Sequence, residues 1–124
     1  RVLIAPGGRH LEVRRDAAGV LRAALVVPPD AASRKYCPSA DVLFASVARA
    51  VGSRACAVVL TGMGQDGRAG VSAIKRAGGV TLAESADTAV VYGMPQAAAE
   101  SGSVDEVLAL PALAGQGAGC VRPA

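Results

Sequence analysis

Cys56-Ala-Val-Val-Leu-Thr-Gly-Met-Gly-Gln-Asp-Gly67 is the stretch whose reading decides the fold. Its opening residues, Cys56 to Leu60, are apolar without a break, as expected of a strand buried on both faces. Glycines then punctuate a turn, and a helical pattern begins at about Gly67. Strand, glycine-rich turn and helix in that order form the repeating unit of an open parallel α/β sheet. Ligands bind such sheets outside the carboxyl ends of the strands, so Asp66 is delivered to the edge where chemistry is done.

Downstream, the helix from about Gly67 to Ala77 is closed by Gly78-Gly79, and Val80–Ala83 reads as the next strand. Pro95 to Ser101 then reads as a short alanine-rich helix and Val104 to Leu108 as a last strand. Upstream, Val42, Leu43, Val47 and Val51 recur at helical spacing between Pro38 and Gly52. Pro38 suits the first turn of that helix and Gly52 its stop. Leu11–Arg15 and Val20–Val27 flank Asp16-Ala-Ala-Gly19, a hairpin connection with glycine available for positive φ. Val2-Leu-Ile-Ala, halted by Pro6-Gly-Gly, reads as one further strand. The expected fold is a doubly wound, mainly parallel α/β sheet, Rossmann-like, with an antiparallel hairpin near the start. Residues 1–113 form the domain and 114–124, rich in glycine, a flexible tail.

Composition narrows the function. At 124 residues the chain makes one domain at most. It is 52% apolar but only 2% aromatic, so its core is built from Ala, Val, Leu and Ile. Tyr36, Phe44 and Tyr92 are too few to stack single-stranded nucleic acid. A net charge of +3, with scattered Lys and Arg, gives no basic stripe, and no nucleic-acid partner is expected. His10 is the sole histidine, and Cys37, Cys56 and Cys120 are far apart, so no metal site is expected. The cysteines read as thiols of a reducing compartment, with Cys56 a small core residue. No apolar run approaches the roughly eighteen residues of a membrane helix, and no signal peptide is visible. A cytoplasmic protein without membrane insertion is the expectation.

Gly62-Met-Gly-Gln-Asp-Gly67 satisfies G-x-G-x-x-G, and Glu84 lies where a ribose-binding acid would. A dinucleotide-binding domain is therefore one reading. Against it, Asp66 puts a carboxylate at a helix N-terminus, where a pyrophosphate needs amide donors and a positive dipole end. Asp66 reads equally as the N-cap of the helix it precedes, or as the acid that orients a histidine in a nucleophilic triad. No G-x-S-x-G elbow accompanies it.

Four segments together resemble one family. Leu60-Thr-Gly-Met-Gly-Gln-Asp-Gly-x-x-Gly70, Val91-Tyr-Gly-Met-Pro95, Ile4-Ala-Pro-Gly-Gly-x-His10 and Pro38-Ser-Ala-Asp-Val-Leu-Phe44 are similar, in order and spacing, to the C-terminal catalytic domain of the chemotaxis receptor methylesterases (CheB). The resemblance runs from Val2 to about Leu110. It implies a cofactor-free serine–histidine–aspartate hydrolase of glutamyl methyl esters, in many cases also a glutamine deamidase, acting on receptor helices. By that resemblance Asp66 is the catalytic aspartate, and Met63 and Gly64 lie beside the oxyanion site. Tyr92, Gly93 and Met94 form a further wall. Met63, Met94 and Pro95 also have plain readings, as gap-fillers and a helix start. His10 matches a segment downstream of the family's catalytic histidine and is assigned a rim or structural role, not a place in the triad. The family's serine and histidine motifs do not occur in this sequence. The domain is thus expected to be incomplete, inactive alone, and to leave a sheet edge for another copy or a further segment to cover. A non-catalytic interaction domain is the remaining alternative. Arg9, Arg34 and Lys35 are expected either to be solvated or to meet acidic receptor helices.

Overall fold

The structure, a computed structural model, describes residues 1–120, with side chains as far as residue 116. An antiparallel hairpin comes first: β1, His10–Arg15, pairs with β2, Leu21–Val26. Its turn forms as the Asp16–Gly19 signal requires. Asp16 Oδ1 accepts from the Ala18 and Val20 amides at 2.9 and 3.0 Å, and Gly19 takes a φ of 79°.

Helix α1, Ala40–Val51, lies against β1. Ser39 is its N-cap, accepting from the Val42 amide, so the helix begins two residues after Pro38. Gly52 ends it at a φ of 63°. Ser46 is buried and ties helix to hairpin. Its hydroxyl accepts from the Val13 amide at 2.9 Å and donates to the Leu43 carbonyl at 2.7 Å.

The second half builds a parallel sheet in the order β3-β4-β5: Cys56–Val59, Val80–Glu84 and Glu106–Leu108. Helix α2, Arg68–Arg76, links β3 to β4, and α3, Gly93–Glu100, links β4 to β5. Both pack on β3 and β4 and touch each other, and α1 packs on α2. The core is aliphatic, as the composition demands: Ala55, Ala57, Val59, Val71, Ile74 and Ala98, with Phe44 and Val47 from α1 against it.

Several expectations are corrected. Val2–Ala5 is not a strand. Val2 and Ile4 are 87% and 89% exposed, and among the described residues no strand lies beside the segment to complete a ladder. β3 stops at Val59, leaving Leu60 exposed in the turn. Cys56 is half-buried rather than sealed in the core. α3 starts at Gly93, two residues before Pro95, because the Gln96 amide donates to the Tyr92 carbonyl at 2.8 Å and closes the first turn, in which Pro95 needs no amide bond. β5 begins at Glu106, not Val104. A helix, α4, Leu110–Cys120, crosses much of the stretch read as tail; Val121–Ala124 lie outside the described residues. The Cys120 side chain is likewise beyond those described.

Candidate active site

The turn leaving β3, Leu60–Gly67, is braced from two sides. Glu84, at the end of β4, is 2% exposed, and both carboxylate oxygens are used. Oε1 accepts from the Thr61 amide at 3.0 Å and Oε2 from the Thr88 hydroxyl at 2.8 Å. The Thr61 hydroxyl in turn exchanges bonds with the Val91 amide (2.8 Å) and carbonyl (3.1 Å). Gly62 N–H donates to the Val91 carbonyl at 2.9 Å, and Met94 N–H to the Gly62 carbonyl at 2.8 Å. The Thr61–Gly64 and Val91–Met94 turns are thereby one unit. Their approach is so close that a Cβ on Gly93 would sit 3.1 Å from the Gly62 carbonyl oxygen and 3.2 Å from the Gly64 nitrogen.

Met63 stands at the crest of this unit, 82% exposed, and among the described residues its amide donates to no acceptor. Gly64, at φ 98°, lies beneath the Tyr36 hydroxyl, which would meet a Cβ there at 3.0 Å. Lys35 Nζ hangs 5.5 Å from the Tyr36 ring centre. Tyr92, Gly93 and Met94 are half-buried at the foot of α3. The residues singled out from the sequence are therefore brought together at the carboxyl edge of the sheet, and Tyr36 joins them.

Asp66 is 8% exposed, but it does not cap the helix it precedes. The N-cap of α2 is Gly67, at φ 102° and with no side-chain cap bond. The Asp66 carboxylate turns instead to the start of α1. Oδ1 accepts from the Ser39 hydroxyl at 2.9 Å and the Asp41 amide at 3.1 Å, and Oδ2 accepts from the Ala40 amide at 2.6 Å. Asp41 returns the arrangement: its Oδ1 accepts from the Gly67 and Gly70 amides at 2.9 and 2.7 Å, at the start of α2. Asp41 of α1 thus holds the start of α2, and Asp66, on the turn before α2, holds the start of α1.

His10 lies inside the protein, 3% exposed, not on the rim. Its Nδ1 accepts from the Ser39 amide at 3.2 Å, so the ring proton sits on Nε2, which donates to the Ser33 carbonyl at 2.9 Å. His10 thus fixes the backbone of the serine that touches Asp66. Ser39 and Asp41 escaped the reading of individual residues. Ser39 carries a local signal, a good N-cap before an apolar helix. Asp41 carries none for this role, because the amides it serves lie 26 and 29 residues away.

The dinucleotide reading fails on this geometry. The α2 amides that a pyrophosphate would need are held by Asp41, and the Glu84 carboxylate is consumed by Thr61 and Thr88. Among the described residues, no three or more His, Cys, Asp or Glu side chains gather as a metal-ligand set. No described helix is long and apolar enough to cross a membrane.

The domain is a parallel α/β unit with an oriented, buried carboxylate and an open backbone amide at the carboxyl edge of its sheet, an arrangement suited to acyl transfer. Comparison with known proteins makes this specific. The chain belongs to the CheB methylesterase family, whose model matches residues 1–116. A protein-glutamate methylesterase/protein-glutamine glutaminase of Anaeromyxobacter dehalogenans is 64% identical over 115 residues, covering 91% of this chain and 33% of that protein. A like-named protein of Geobacter sulfurreducens is 50% identical over 110 residues, 89% of this chain and 29% of that one. The Thermotoga maritima CheB methylesterase catalytic domain superposes with a TM-score of 0.85 at 32% identity, over 94% of this chain and 60% of that one. The chain therefore spans about a third of these curated relatives and has the fold of the corresponding part of the catalytic domain.

Proposed function

We propose that this chain supplies the aspartate, and one side of the active site, of a protein-glutamate methylesterase that acts on chemoreceptor helices through a Ser-His-Asp triad. The observation that carries the reading is the setting of Asp66. It is buried at the carboxyl edge of the sheet, and its Oδ2 accepts from Ala40 alone among the described donors. A carboxylate held in this way can accept a histidine Nδ1–H, fix that ring's tautomer and stabilise the imidazolium formed when the histidine takes the serine proton. The serine attacks the ester carbonyl, and the Met63 amide is available to the oxyanion. Methanol leaves, and water then releases the glutamate; a glutamine amide would react in the same way, losing ammonia. Serine and histidine come from residues outside these 124, consistent with relatives about three times as long. The exposed Val2–Ile4 run is read as surface that further chain, or a second copy, covers. Arg34 and Lys35, exposed beside Tyr36, offer positive charge to an acidic receptor helix.

Methanol release from a methylated receptor fragment tests the reading. The 124-residue chain alone is expected to give none, and addition of a relative's serine- and histidine-bearing segment to restore turnover. Asp66→Asn in that complex is expected to lower kcat about 10⁴-fold. Triad-like turnover by the chain alone would overturn the proposal. Receptor binding with no turnover in any combination would favour an interaction domain.

A further inference from the structure

Resting on that reading of Asp66, we infer that Asp41 is a positioning residue for the proposed reaction, acting with Ser39 through the exchanged caps of α1 and α2. An ordinary N-cap serves the helix that it begins, so its geometry is set within one turn of chain. Here the caps are crossed. Asp66 is carried on the turn before α2 but is gripped by Ser39, Ala40 and Asp41 of α1. Asp41 is carried on α1 but grips Gly67, the residue after Asp66, and Gly70. The Asp41 carboxylate therefore holds the backbone that bears Asp66, while the Asp41 amide holds the Asp66 carboxylate. Both ends of the catalytic side chain are referred to one residue of a different helix.

Three further features fit a positioning role. Gly70 lets the helices close: a Cβ there would lie 2.7 Å from Phe44 Cβ and 3.1 Å from Asp41 Oδ1. Ser39 is the side-chain donor on Asp66, and its own amide is fixed by His10 Nδ1. Asp41 is half-buried, with the positive end of α2 facing its carboxylate. Together these leave Oδ2 of Asp66 aimed by packing between helices rather than by a turn. Displacing a catalytic group by about 1 Å costs roughly 10²-fold in rate.

The test uses Asp41→Ala, Asp41→Asn and Ser39→Ala, read in two ways. In the 124-residue chain, amide hydrogen exchange is followed at Ala40, whose acceptor is Asp66 and not the mutated side chain. Asp41→Ala is expected to speed Ala40 exchange by tenfold or more, and Asp41→Asn, which keeps an acceptor oxygen, to restore most of the protection. If Gly67 and Gly70 lose protection while Ala40 keeps it, Asp41 merely caps α2 and the inference is overturned. In the complex with the serine- and histidine-bearing segment, Asp41→Ala is expected to lower kcat ten- to a hundredfold at unchanged KM, with Asp41→Asn close to wild type. An unchanged kcat overturns the inference. Should the wild-type complex be inactive, the methylesterase reading fails while Ala40 exchange still decides the positioning. If Asp41→Ala does not fold, Ser39→Ala carries the test through the same kcat and Ala40 readouts: a tenfold lower kcat with faster Ala40 exchange supports the inference, and no change in either overturns it.

Discussion

Single residues in this domain do work that their sequence neighbours do not announce. Asp66 looks like the cap of α2 and instead caps α1. Glu84 looks like a ribose acid and instead supports the glycine turn through Thr61. Because Glu84 is 2% exposed with both oxygens engaged, Glu84→Gln must turn an NH2 group toward either the Thr61 amide or the Thr88 hydroxyl. The hydroxyl can reverse its bond; the amide cannot. Both bonds then survive as neutral ones, and a cost of about 1 kcal/mol is expected, the difference between a charged and a neutral hydrogen bond inside a protein. Urea denaturation of the variant checks it, and an unchanged midpoint would show that the Glu84 charge does not hold the turn.

Between elements, the decisive contact is α1 on α2, where close approach and crossed caps occur together. Gly70→Ala places a methyl group 2.7 Å from Phe44 Cβ and 2.8 Å from Phe44 Cδ2, so backbone must move. Alanine is the better helix former, by up to about 1 kcal/mol. Overpacking costs about 1–3 kcal/mol and wins. A lower Tm by calorimetry is the expected outcome, and a raised Tm would mean that the helices separate freely. Hydrophobic spacing revealed both helices from sequence, but not that they touch through a glycine. That contact brings together segments nearly thirty residues apart, and no local pattern encodes such a distance.

At the scale of the whole molecule, Asp105 joins the parallel layers. Its carboxylate pairs with Lys75 of α2 and accepts from the Thr81 amide of β4 at 2.9 Å, while its own amide donates to the Thr81 hydroxyl at 3.0 Å. The hydrogen bond from Lys75, then that from Thr81, holds its carboxyl below the ordinary aspartate value. A depressed folded value means that this stabilisation is complete above the unfolded value and is lost as pH falls through the folded one. Stability is therefore expected to drop in the acid range, below the ordinary aspartate value, and to drop less steeply in Asp105→Asn. Denaturant midpoints at neutral and acid pH measure this; identical acid slopes would remove Asp105 from the account.

The sequence by itself determined the hairpin, α1, the strand–turn–helix around Asp66 and the family resemblance, because periodicity, turn residues and short motifs are local signals. The same locality explains its misses. Val2–Ala5 reads as a strand but has no neighbour to pair with among the described residues, and a strand exists only in a ladder. Nothing local to His10 marks it as buried, yet folding of the 33–39 segment supplies its partners Ser33 and Ser39 and buries it. Which amides each carboxylate would hold was settled only by tertiary structure. Hydrogen bonds depend on distance in space, and the packing of α1 on α2 is what turned the acid of a glycine loop into an oriented catalytic candidate.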